Sequence, residues 1–552
     1  MTRYDLLLRN GRVVDGSGAP RFDADVAVTD GKIVDVGSLD GAEADRVIDV
    51  HDRVIAPGFI DIHSHCDFIL PLPDQADFLK HFVAQGITTL VVGNCGYAPA
   101  PINPETAPLM QAYTAFIKPR DLEWHWRTFD DYLSYLEQHG VYMNTVPLAA
   151  HGALRIAVMG FDARSPSDEE LRRMKRLLKE CLESGAHGLS CGLIYAPGMF
   201  ATTDELADLA TVLGRHDGLF TFHVRGSSET LLPAAQEVVE VARSAGVRVQ
   251  HSHLEAFGKP HWGKVDQTLG LHERVRSEGV DHGFDVIPYT AANTTFLAVL
   301  PPWSLDGGVP RLLERLSDPE TRSRIKRDVE QVIPEWPTWK PGGWPHNLVE
   351  ATGWENVWIM WVESEENKDC EGKSVARLAE ETGKDPFDVA AGLILSEQGH
   401  VTALYIGVSG DLDEEWALRQ IIQHPNASIE TDAFSLGRGK PHPGLYGSFP
   451  RVLGQYAREE QLLTLEEAVR KMTSLSAERF KLKDRGLVRK GYWADLTVFD
   501  PETISDNTTF LEPEQPPTGI ELVLINGTVI VEDGRVDPAT LAGRVLRRDS
   551  GG

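Results

Sequence analysis

Eight strand candidates recur between residues 54 and 432, and they constrain the fold more than any other feature. They are Val54–His63, Ile87–Gly93, Thr145–Ala150, Gly188–Cys191, Leu219–His223, Val247–His253, Gly283–Pro288 and Ala427–Asp432. Each suits a buried strand, and helices with readable starts lie between several of them. Ser167-x-x-Glu170 is a capping box ahead of Leu171, Met174, Leu177, Leu178 and Cys181 at helical spacing. Thr202-x-x-Glu205 does the same ahead of Leu206, Leu209 and Leu213, with Gly214 as a stop. Parallel strands require crossovers of this kind, so the pattern predicts an α/β fold, a (β/α)8 TIM-like barrel with its active site at the C-terminal strand ends.

The two termini resemble each other. Asn10-Gly11-Arg12-Val13-Val14 echoes Asn526-Gly527-Thr528-Val529-Ile530, and both read as strands entered from an Asn-Gly turn. Residues 1–56 and 484–552 are therefore expected to pack as one small β-sandwich beside a barrel spanning 57–483. Residues 304–400 read as an insertion before the last strand, rich in Trp, Pro and Gly around Trp336, Trp339 and Trp344. Such an insertion either covers the pocket or forms a peripheral subdomain.

Composition narrows the partners. With 54 basic and 82 acidic side chains the net charge is −28, which disfavours nucleic acid and anionic membrane. No apolar window is long enough to span a membrane, and no secretory signal is visible, so a cytoplasmic protein is expected. The five cysteines are odd in number and unpatterned, which fits free thiols. A small-molecule substrate is expected, and the chain is compatible with a homo-oligomer.

The predicted strand ends carry metal-binding chemistry. The first ends in Gly58-Phe59-Ile60-Asp61-Ile62-His63-Ser64-His65, and residues two apart on a strand share a face. The second leads to Cys95, the fifth to His223, the sixth to His251 and His253, and the eighth to Asp432. Thiolate, imidazole and carboxylate converging from separate strands make a zinc site.

These segments carry a resemblance. GFIDIHSHCD (58–67), GNCG (93–96), GLSCGLIYAPGMF (188–200), HVR (223–225), SHLE (252–255), PYTA (288–291), TDA (431–433) and PHPGLYGSFPRVLGQYARE (441–459) follow one another in order. So does EEAVRKMTSLSAERFKLKDRGLVRKGYWADLTVFDP (466–501). In these segments the chain resembles the amidohydrolase superfamily, and within it the D-aminoacylase (N-acyl-D-amino-acid deacylase) family. The resemblance implies a tightly held zinc on Cys95, His223 and His253. It implies a second, weaker position on His63 and His65, with Cys95 able to bridge and Asp432 adjacent. Zinc would polarise the scissile carbonyl and lower the pKa of water to about 7. Asp432 would be the catalytic proton shuttle, and Tyr195 and Tyr289 would contact substrate. Cys191 stands as a further candidate ligand and His251 as a support for His253.

Two positions depart from the family pattern. The Lys and Arg expected to hold a substrate α-carboxylate are Glu255 and Gly444 here. Each lost cation removes roughly 1.5–3 kcal/mol, and Arg225 and Arg438 are the remaining candidates to compensate. A neutral or amine-bearing amide is therefore the expected substrate. The alternatives are an N-acyl-D-amino acid, or a cyclic amide, carbamate or lactone opened by the same chemistry. A non-catalytic metal scaffold would gain little from Asp432.

Overall fold

The computed structural model describes residues 3–336 and 343–549, so Trp339 lies outside the described residues. Strands form at Phe59–Asp61, Ile87–Val92, Asn144–Pro147 with its continuation Ala149–Ala150, and Gly188–Gly192. They continue at Leu219–His223, Arg248–His251, His282–Val286 and Ala427–Ile429, and are referred to below as first to eighth. Each pairs in parallel with the next, from Asp61 beside Leu90 to Val286 beside Ile429. Leu148 interrupts the third strand, yet its N–H still donates to the Val92 carbonyl at 2.9 Å.

The eighth strand's exit meets the first strand's exit. Ser64 and Ala433 form a parallel bridge, and the His65 N–H donates to the Ala433 carbonyl at 3.0 Å. Of all residues in these strands only Arg248 is not buried, as expected where helices cover one face and other strands the second.

Helix caps follow the sequence in part. Ser167 and Glu170 form the full capping box of Asp168–Glu183. Thr202 caps Thr203–Arg215 through the Glu205 N–H, but the Glu205 carboxylate turns inward to His151 (2.8 Å) and Arg155 (2.6 Å). That helix runs one residue past Gly214, the expected stop.

The segment Val54–His63 is not one strand. Val54–Pro57 lies antiparallel to Leu496–Phe499 in the terminal sheet, and Phe59–Asp61 begins the parallel set. Between them a Cβ on Gly58 would run into the Thr88 side chain, so the passage from one sheet to the other takes glycine.

Both termini contribute to one nine-stranded sheet. Leu6, Val26, Ile33, Ile55, Val498 and Leu522, from distant parts of that sheet, share one apolar core, so the sheet closes over itself. Its turns interlock at Ala494, which donates to the Gly31 carbonyl and accepts from the Gly527 N–H, both at 2.9 Å. Asn526-Gly527 is the expected turn, with φ of 50° and 81°. Asn10-Gly11 is not a turn. It lies inside the strand Arg3–Val13, where the pairing register with Phe22–Thr29 shifts between Leu8 and Gly11, a β-bulge with Asn10 at φ 61°.

Ala291–Thr295, Val357–Val362 and Val401–Ile406 form a separate antiparallel sheet around the 304–400 insertion. That unit has its own core, including Phe296, Leu312, Ile325, Phe387 and Tyr405. Trp344 is buried in this core, and Trp336 packs on the larger one. Among the described residues no helix is long and apolar enough to cross a membrane.

Behind the sixth strand, His251, His272 and His282 are buried in a row with ring centroids 5.4 and 3.9 Å apart. None of their ring nitrogens has a hydrogen-bond partner among the described residues. Burial, reinforced by the neighbouring imidazoles, holds His272 and His282 well below the usual histidine range. Once unfolded, each returns to about 6.5, so below that pH the unfolded chain takes up protons that the folded chain refuses. Stability is then lost by about 1.4 kcal/mol per pH unit for each group. The Tm is expected to fall less between about pH 7 and about pH 5 in His272→Phe than in the parent; equal falls would place the acid sensitivity elsewhere.

Candidate metal centre

Three chemistry-bearing residues leave their strands through the left-handed region: Cys95 at φ 51°, His253 at φ 34° and Asp432 at φ 47°. Non-glycine residues adopt it at a cost, and neighbours over-determine it here. The Asp285 Oδ1 accepts the His253 N–H at 2.6 Å, and the Asp432 N–H donates to the His63 carbonyl at 3.0 Å. Behind Cys95, the Gly93 N–H donates to Asp67. His63 and His65 also lie beyond their strand, which ends at Asp61. Their convergence therefore comes from these turns, not from strand alternation.

The side chains meet around the Cys95 thiol. Its Sγ lies 3.2 Å from His63 Nε2, 3.6 Å from His223 Nδ1 and 3.7 Å from His253 Nε2. The Asp432 Oδ1 lies 3.1 Å from His65 Nε2 and 3.3 Å from His63 Nε2. Among the described residues, two of the sets of donor atoms that could hold a metal ion share this thiol, Cys95/His223/His253 and His63/His65/Cys95/Asp432. Every member is buried.

The electrostatics fit a cation. Burial pushes the Cys95 thiol up to about 12, against the pull of His63. Burial opposes ionisation of Asp432 too, but His63, His65 and His253 draw it down to about 2. His63 is lowered by burial yet lifted to about 10 by Cys95, Asp432 and Asp285. Such a cluster stabilises positive charge, and a divalent ion would supply it while deprotonating the thiol. The donor set, soft sulfur with imidazole and carboxylate, suits zinc.

Sequence reasoning missed the layer beneath. Glu430 Oε2 lies 3.1 Å and Asp285 Oδ1 3.6 Å from His63 Nδ1, and all three are buried. Burial, with the Asp285 charge, pushes Glu430 well above the usual carboxylate range. The available signal was a carboxylate within each of two strand candidates, Asp285 between Phe284 and Val286, and Glu430 directly after Ile429.

Several expected contacts sit elsewhere. Cys191 belongs to neither donor set. His251 does not share a face with His253, because the strand ends at His251 and its ring packs on His272. Arg225, expected at the substrate, is buried in a two-pronged pair with Glu237 (3.1 and 3.0 Å) and donates to the Met199 carbonyl. Arg438 stacks on Trp361 at 4.1 Å. Tyr289 donates its hydroxyl to Asp506 at 2.8 Å. Gly444 is buried with its N–H on His442 Nδ1 (2.9 Å), and a Cβ there would press on His442 and Ser448 at 2.8 Å.

Tyr195 and Glu255 do stand at the centre. The Tyr195 ring lies 4.9 Å from His223 and its hydroxyl accepts from Thr294 at 2.8 Å. Glu255 Oε1 lies 3.2 Å from His253 Nδ1. A cavity beside them is walled by His223, His253 and Asp432, and by His346 and Leu348 from the insertion.

The amidohydrolase family model matches residues 46–531. The chain belongs to the amidohydrolase family. It is an enzyme, a metal-dependent hydrolase of carbon–nitrogen amide bonds, and it is D-aminoacylase-like. It is 35% identical to an N-acyl-D-glutamate deacylase of Alcaligenes xylosoxydans xylosoxydans, over 99% of this chain and 97% of that one. Its structure matches an N-acyl-D-glutamate deacylase from Bordetella bronchiseptica, solved with zinc and a phosphonate mimic of the tetrahedral intermediate. That match has a TM-score of 0.80 at 31% identity, covering 99% of this chain and 100% of that one. A D-aminoacylase studied for one-metal activation and second-metal attenuation at its binuclear centre matches at a TM-score of 0.78 and 31% identity, with the same coverage.

The shared thiol generates a test within this amidohydrolase. Cys95→Ala is expected to lose all zinc that survives gel filtration, whereas His65→Ala keeps the ion on the Cys95/His223/His253 set. Equal losses by metal analysis would mean that the two sets act as one.

Proposed function

We propose that the eight parallel strands form a (β/α)8 barrel whose mouth hydrolyses an N-acyl amide with zinc, on a substrate that is neutral or bears an amine near the scissile bond. The observation that carries the substrate reading is the wall of the cavity beside the donors. Among its described residues there is no Lys or Arg, and the acidic Glu255 faces it. Of the two candidates to compensate, Arg225 is paired with Glu237 and Arg438 stacks on Trp361, and the Tyr289 hydroxyl is taken by Asp506. A free carboxylate placed there would forgo charge-assisted bonds of roughly 1.5–3 kcal/mol each and meet Glu255 instead.

Cys95, His223 and His253 would hold the tighter ion and His63, His65 and Cys95 a weaker second. Zinc bound there supplies polarisation of the carbonyl and an acidified water, with a pKa near about 7. The chain's own groups do the proton work. Asp432 is ionised, with Oδ1 held between His63 and His65, so it is ready to accept a proton from water. The same oxygen returns that proton to the departing nitrogen, which leaves poorly until protonated. Tyr195 accepts from Thr294 and so keeps its own O–H to donate to the developing oxyanion.

Asp432→Asn is expected to lower kcat by about 10²–10⁴-fold while zinc on Cys95, His223 and His253 is retained. Unchanged turnover of every substrate would remove Asp432 from the reaction. In a panel of N-acyl-D-amino acids, uncharged N-acyl amines and cyclic amides, kcat/KM is expected to be highest for the N-acyl amines. Comparable values for the D-amino acid derivatives would sink the substrate reading, and preference for the cyclic compounds would move the enzyme to ring opening.

A further inference from the structure

On each side of the Cys95 sulfur stands a histidine with the sulfur near one ring nitrogen and a carboxylate near the other. His63 directs Nε2 at the sulfur (3.2 Å) and has Glu430 at Nδ1 (3.1 Å). His253 directs Nε2 at the sulfur (3.7 Å) and has Glu255 at Nδ1 (3.2 Å). Both Nδ1 approaches are ion-pair separations in which the ring N–H is not yet aligned for a full hydrogen bond. A histidine that ligates through Nε2 must carry its proton on Nδ1, and that N–H needs an acceptor. Glu255 is buried, and it is the only carboxylate paired with His253 Nδ1 among the described residues.

We propose that Glu255 is a positioning residue for the metal centre: its carboxylate fixes the His253 tautomer and ring orientation and strengthens zinc binding at Cys95/His223/His253. This rests on the metal reading above and goes beyond it. The residue that costs the pocket a cation does not stand idle or serve chiefly as a contact for a substrate amine. Its charge is directed at a ligand. Specificity and metal affinity are therefore coupled through one side chain. Restoring a Lys at this position to recover carboxylate recognition would take the acceptor from His253 and place a cation beside it.

The test measures zinc affinity on the full chain by competition with a chromophoric chelator, together with the visible spectrum of the cobalt(II)-substituted protein and KM and kcat for the best amide. Glu255→Gln is expected to weaken zinc binding by about 10–100-fold and to shift the cobalt bands, and Glu255→Lys to weaken it further. Glu255→Asp, which keeps the charge but withdraws it by one methylene, is expected to lie between parent and Gln, and decides the matter should Glu255→Gln fail to fold. Zinc affinity within about twofold of the parent and unmoved cobalt bands, with only KM altered, would overturn the proposal and make Glu255 a substrate contact. His253→Ala separates this from failure of the metal reading itself: if that variant holds zinc as tightly as the parent, His253 is no ligand and the underlying assignment falls.

Discussion

The architecture of the mouth depends on one buried sulfur. Cys95 lies within 3.7 Å of three imidazoles from the first, fifth and sixth strand ends, and it belongs to both donor sets. A thiol burdened by burial to about 12 is a poor centre for such a cluster unless a cation is there to claim the thiolate. The same requirement explains the strained turns. Cys95, His253 and Asp432 all adopt positive φ, and each turn brings a donor back over the strand ends.

The contacts between the first and eighth strand exits are also contacts of the metal centre. The bond from the Asp432 N–H to the His63 carbonyl and the bridge from Ser64 to Ala433 join the first and last strand exits. Asp61 reinforces the seam by accepting from the Thr431 N–H at 3.0 Å and hydroxyl at 2.6 Å. Residues 370 positions apart are thus registered by the same contacts that set His63 and His65 against Asp432. A slip at that seam would move both histidines away from Asp432.

The strands and the donor residues were legible in the sequence because short β-type segments alternate with readable helices, and chemistry sits where those segments end. What was not legible is where alternation ends. His251 and His253 look like partners at i and i+2, but the turn at His253 sends one ring to the centre and the other to His272. Asn10-Gly11 and Asn526-Gly527 share a dipeptide, yet one is a bulge and the other a turn, a difference set by the strands that flank them. Asp285 and Glu430 were hidden because a carboxylate in or just past a strand carries no local sign of its partner.

Tertiary commitment also decides which polar groups remain available to a substrate. Arg225 and Tyr289 are the right residue types for holding a carboxylate, and both lie near the strand ends. Arg225 is drawn into a fully buried pair with Glu237 on the helix Leu231–Ala245. A guanidinium so buried would lose its compensation if it turned to a ligand, a penalty larger than one new contact returns. Tyr289 is held by Asp506, and Arg451 covers its ring at 4.8 Å. Glu255 is directed at His253. The Arg225 pair takes away a cation and the Tyr289 bond a hydrogen-bond donor that an anion could have used, while the Cys95 cluster is left intact. The selectivity proposed for this enzyme thus arises less from a feature built for its substrate than from a cation and a hydroxyl that the fold has already engaged.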